Sequence, residues 1–151
     1  MRSVATRRVI GGVAVFMLLG LIAQLHAQFG VGTTWVRTDA QGKGITMKVE
    51  ACCKGGLRLI YDIPPNNNQP GMTLTVDSPM DGTEVPTLVA GKPSGQMMAV
   101  TRVDDHHYTA TVKMNGQVFS TSTGTVAPDN KSMTVETAGL GGKNTETWVR
   151  K

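Results

Sequence analysis

Apolar and polar side chains alternate at every second position along most of the chain after residue 32, and no stretch repeats at helical spacing. A period of two belongs to extended backbone with one face buried. Residues 45–53 put Ile45, Met47, Val49 and Ala51 on one face and Thr46, Lys48 and Glu50 on the other. Residues 57–63 gather Leu57, Leu59, Tyr61 and Ile63, and residues 106–114 gather Tyr108, Ala110, Val112 and Met114. The same pattern predicts strands over 33–38, 72–76, 96–103, 117–127, 133–137 and 145–150. A short strand is expected near 87–90, inside an irregular connection over 77–95 where Pro and Gly accumulate. Thr and Val are frequent throughout, and branching at Cβ suits both to pleated sheet.

Turn chemistry separates these runs. Asn115-Gly116 is the strongest hairpin signal, because a type I′ turn needs positive φ at both central residues. Residues 54–56, 104–105 and 128–130 read as further turns, and residues 64–71, with three Pro and three consecutive Asn, as a loop. Eight or nine short strands at this spacing predict an all-β domain, a single antiparallel up-and-down barrel whose closure leaves no free edge. An open sandwich is the structural alternative.

The first 27 residues break the pattern. Arg2, Arg7 and Arg8 precede an uncharged, mostly apolar run over residues 9–23, and Ala27 supplies a small residue before a cut. This is the three-part layout of an export signal, and the run is shorter than the roughly 20 apolar residues a spanning helix needs. An uncleaved anchor is the alternative. The expected organisation is a signal peptide over 1–27 and one domain over 28–151, in a periplasmic or secreted protein. The net charge of +4 then loses its meaning for partners. Three of the 15 Lys and Arg residues lie in the signal and none of the 11 acids do, so the domain carries only about +1. No basic stripe suited to nucleic acid or to an anionic membrane surface remains, and neither nucleic acid binding nor stable membrane insertion after signal removal is expected.

Gly32-Thr33-Thr34-Trp35 opens the domain and Trp148-Val149-Arg150-Lys151 ends it. Between them stand Thr101-Arg102-Val103-Asp104-Asp105, Tyr108-Thr109-Ala110-Thr111-Val112 and Ser120-Thr121-Ser122. These segments resemble the small secreted bacterial proteins with a lipocalin-like, calycin-type barrel, over most of residues 30–151. The resemblance implies an eight-stranded up-and-down barrel with an interior site for a small apolar ligand. It also implies that Trp35 closes the barrel floor against an Arg from a late strand, Arg150 or Arg102. The spacing departs from the lipocalin pattern, since two residues rather than one separate Gly32 from Trp35.

Residue chemistry favours binding over catalysis, and no enzyme activity and no cofactor are expected. There is no G-x-S-x-G elbow around Ser94 and no phosphate-cradling loop ahead of a helix. Asp104 and Asp105 read as turn residues, because neighbours on extended backbone point apart. Seven Met residues lie after residue 27 against six aromatics. Met suits both a permissive pocket lining and plain core filling. The candidate ligand-contacting residues are Met47, Val49, Leu59, Tyr61, Leu74, Met97, Ala99, Tyr108, Val112 and Phe119, the opposite face being the alternative on any strand whose register slips by one. Cys52-Cys53 admits three readings: a vicinal disulfide or reactive pair, a soft-metal site shared with His106, His107 and Met side chains, or two unlinked residues with Cys53 packed inward. The competing functional readings are an exported domain acting by protein contact and metal or redox handling through the cysteine pair.

Overall fold

The structure, a computed structural model, describes residues 29–66 and 68–151. The expected signal segment, residues 1–27, lies outside the described residues. The rest is all β: β1 (Thr33–Arg37), β2 (Thr46–Cys52), β3 (Gly56–Ile63), β4 (Met72–Ser78), β5 (Asp81–Val89), β6 (Lys92–Arg102), β7 (His107–Met114), β8 (Gln117–Val126), β9 (Ser132–Gly139) and β10 (Gly142–Arg150). Each strand pairs antiparallel with its sequence neighbours, and β1 pairs with β10, closing the sheet into an up-and-down barrel. The barrel is therefore found and the open sandwich is not.

The strand count is ten rather than eight or nine. The short strand expected near 87–90 is a full strand, β5, and the Pro and Gly content hid how far the strands beside two turns extend. Most of the stretch expected to be irregular over 77–95 is β5, the β5–β6 turn and the start of β6. Pro86 sits beside a register shift, and Gly82 takes φ of 89°, so β5 absorbs both breakers through irregularities in its ladder. The β9–β10 loop shrinks to a tight turn with Gly142 at φ of 95°.

Ten strands in up-and-down order define two ends. Turns β2–β3, β4–β5, β6–β7 and β8–β9, with both ends of the described domain, lie at one of them. The buried core gathers there: Phe29, Trp35, Val49, Leu57, Leu59, Val76, Met80, Val100, Val126, Met133 and Trp148. Phe29 caps it from outside the sheet. Its ring lies 6.4 Å from that of Trp35 and 5.0 Å from that of Tyr108. Trp35, fully buried, donates its indole N–H to the Thr33 hydroxyl at 3.1 Å, and that hydroxyl donates to the Gly30 carbonyl at 2.7 Å. The floor is thus aromatic. Arg150 stands opposite Trp35 in the β1–β10 register and is exposed, as is Arg102, while the Phe29 ring stacks near Trp35.

Cys52 and Cys53 are bonded to each other at the end of β2. This overturns the reading of two unlinked residues. Cys53 and Lys54 both take φ of 53°, which turns the chain immediately into β3. With both sulfurs bonded, the shared soft-metal site also fails. His106 Nδ1 donates to the Val126 carbonyl, and His107 Nδ1 sits 2.8 Å from the Asp104 carboxylate.

Candidate functional site

The barrel is not filled to its far end. Above the aromatic floor lies a cavity of about 310 Å³, bounded by side chains from nine of the strands and by Phe29. Its volume is on the order of ten water molecules, at the small end of ligand pockets. Side chains deep in it are buried, and those towards the β1–β2, β3–β4 and β7–β8 turns are only half-buried.

The two walls differ in chemistry. From β2, β3, β4 and β6, and from Ile45 just before β2, come Ile45, Met47, Leu59, Tyr61, Ile63, Leu74, Met98 and Val100, a continuous aliphatic and aromatic surface. From β7 to β10 come Tyr108, Val112, Met133, Val135 and Trp148, interspersed with smaller or polar groups that the first wall lacks: Ala110, Ser120, Ser122, Thr137 and Glu146. The ladder explains their grouping, because Ala110, Ser122, Thr137 and Asn144 are successive cross-strand partners on one inward row. The Ser122 and Thr137 hydroxyls bond each other at 2.8 Å.

Tyr108 reaches across this wall because Gly124 stands opposite it on β8. A Cβ at Gly124 would overlap the Tyr108 ring, so the missing side chain makes room for the aromatic one. The Tyr108 hydroxyl donates to the Met133 thioether at 3.3 Å. The Tyr61 ring meets Trp148 edge-on at 6.3 Å. Burial, reinforced by the Glu146 charge for Tyr61 and by Tyr61 and Glu146 for Tyr108, pushes both phenols well above their ordinary pKa, which keeps them neutral.

One cluster of charges borders the cavity. Arg37, at the end of β1, donates from Nε and Nη2 to the two Asp39 oxygens at 2.6 and 3.0 Å, and its Nη1 lies 3.1 Å from Glu146 Oε1. Glu146 Oε2 accepts the Trp148 indole N–H at 3.1 Å. Asp39 also accepts backbone N–H groups of Gln41, Gly42 and Thr147. The Arg37 hydrogen bond, with backbone donors adding to it, lowers the Asp39 pKa from 3.8 to about 2. Gly42 leaves the space in which the Arg37 side chain lies, since a Cβ there would overlap it.

Of the residues expected to contact a ligand, Met47, Leu59, Tyr61, Leu74, Tyr108 and Val112 line the cavity. Val49 points inward but is buried in the core below it. Met97, Ala99 and Phe119 lie on the outer face and are corrected by Met98, Val100 and Ser120. The polar side of the site (Arg37, Ser122, Thr137 and Glu146) was absent from the sequence expectation. Its signal was faint: an Arg, a Glu and small hydroxyls at inward parity on strands that also carry hydroxyls outward.

No family model matches the chain, and no curated protein matches it. Among solved structures, a point mutant of the fluorescent protein UnaG is similar, with a TM-score of 0.57 over 82% of this chain and 97% of that one, at 12% identity. At that identity the likeness shows the fold alone: a closed up-and-down β-barrel.

Proposed function

We propose that this protein is a non-catalytic binding barrel that encloses a small hydrophobic molecule in its interior, outside the cytoplasm, in the periplasm or as a secreted protein. The observation that carries the reading is the cavity of about 310 Å³, lined mostly by apolar and aromatic side chains with a few hydroxyls on one side. A barrel that served only as a contact module would gain stability by filling that space, since a void costs its lining the dispersion contacts a packed neighbour would give. Binding would draw on about 25 cal/mol per Å² of apolar surface removed from water, less the cost of immobilising the ligand. Support for export comes from the sequence of residues 1–27.

The test is a fluorescence titration with N-phenyl-1-naphthylamine, an uncharged dye that brightens in apolar surroundings. Saturable binding with Kd on the order of 10 μM or tighter is expected. No saturable signal from a folded sample would remove the reading. Export is checked separately by the mass of the protein recovered from its host, which should correspond to a chain starting at Gln28.

A further inference from the structure

Among the described residues lining the cavity, Arg37 is the one cation and Glu146 the one anion. The arginine is already matched. Asp39 holds its Nε and Nη2, and Glu146 lies 3.1 Å from its Nη1. One positive charge therefore faces two negative ones, and the cluster is net negative. Its side chains are mostly shielded from solvent, with 11% exposure for Arg37, 16% for Asp39 and 21% for Glu146. Charges so placed are screened weakly by salt.

We infer that the cavity takes an apolar molecule whose polar end is a hydrogen-bond donor, a hydroxyl or an amine, and turns carboxylates away. This rests on the ligand-binding reading above. An ionised carboxylate accepts at about four lone-pair sites, and Glu146 uses one oxygen towards Arg37 and the other for the Trp148 indole, leaving acceptor capacity for a donor from the ligand. A hydroxyl or an ammonium group satisfies it without disturbing Arg37. A ligand carboxylate brings a like charge beside Glu146 and gains an arginine partner only by displacing Asp39 or Glu146 from it. The hydroxyls of Ser120, Ser122, Thr137 and Tyr61 serve a neutral or cationic head equally well.

The experiment displaces bound N-phenyl-1-naphthylamine from the full domain at neutral pH with decanol, decylamine or decanoate, which share one chain and differ in the head group. Decanol and decylamine should each displace the dye at concentrations about tenfold or more below decanoate. Glu146→Gln should shrink that gap by about tenfold, through stronger decanoate and weaker decylamine binding. Asp39→Asn, which removes the other negative charge, should move it the same way and serves if Glu146→Gln does not fold. The inference is overturned if decanoate competes as well as decanol, or if none of the three displaces the dye. In both cases the bound dye keeps the cavity reading alive. Failure of the dye itself to bind sinks both.

Discussion

Asp39 ties more of the cavity mouth together than its place in a loop suggests. Its carboxylate holds Arg37 on one side, the backbone of Gln41 and Gly42 on another, and Thr147 of β10 across the barrel seam. Its folded pKa of about 2 lies below the ordinary 3.8, so the native state binds this proton less readily than the unfolded chain does. The stabilisation is therefore complete above about pH 4 and is lost as pH falls towards 2. Because the group is partly open to solvent, the contribution is on the order of 1 kcal/mol rather than the full value of the shift. Asp39→Asn should lower Tm by about 4 °C at pH 7 and flatten the acid limb of the Tm profile. Thermal melts of both proteins between pH 2 and 7 check this. Parallel curves would show that Asp39 is not the group responsible.

Strands β6 and β8 show where the alternating pattern was readable and where it failed. On β2 and β7 the inward residues Met47, Tyr108 and Val112 are legible because polar residues flank them, and on β3 Arg58 and Asp62 fix the parity of Leu59 and Tyr61 despite the apolar Ile60 between them. On β6, Met97, Met98, Ala99 and Val100 are four apolar residues in a row, and nothing local says which parity faces in. The cross-strand partners decide it: Met98 meets Val112, and Val100 meets Ala110. On β8, counting back from the Asn115-Gly116 turn pairs Val112 with Phe119. The β7–β8 ladder shifts register instead, so that Lys113 meets Val118 and Val112 meets Ser120. Phe119 becomes the extra residue, 40% exposed, and serine takes the inward position. That one bulge puts a hydroxyl where an aromatic ring would otherwise face the cavity. Beyond it, the β7–β8 pairing seats Tyr108 over Gly124. Gly124→Ala should cost about 1–3 kcal/mol in denaturant unfolding, as overpacking does. Most of that cost should vanish in a Tyr108→Ala background, because the two positions share one volume. Equal costs in both backgrounds would mean that the glycine is needed for its backbone alone.

The closed sheet, the aromatic floor and the unfilled space above it form one arrangement. Phe29, Trp35 and Trp148 are large and few, and they lie at or near one end. Among the residues that face the remaining volume from β7 to β9, four are small, Ala110, Ser120, Ser122 and Thr137, beside Tyr108, Val112, Met133 and Val135. Tyr61 and Tyr108 also border that volume, and the four small side chains are what leave it unfilled between them. Ala110 lies between Val100 and Ser122 on the inner face, at the meeting of the two walls. Ala110→Leu adds three carbons into the cavity. If the space is open, burying them contributes up to about 2 kcal/mol, so Tm should hold or rise by several degrees. The same change takes volume from the ligand, and N-phenyl-1-naphthylamine affinity should drop about tenfold or more. In a barrel whose interior collapses to a packed core, the added carbons would overpack it and cost about 1–3 kcal/mol. Paired melts and dye titrations of the native protein and Ala110→Leu decide between them. A stable variant that no longer binds is the signature of a space kept open for a guest, whereas a destabilised one points to an interior that was already full.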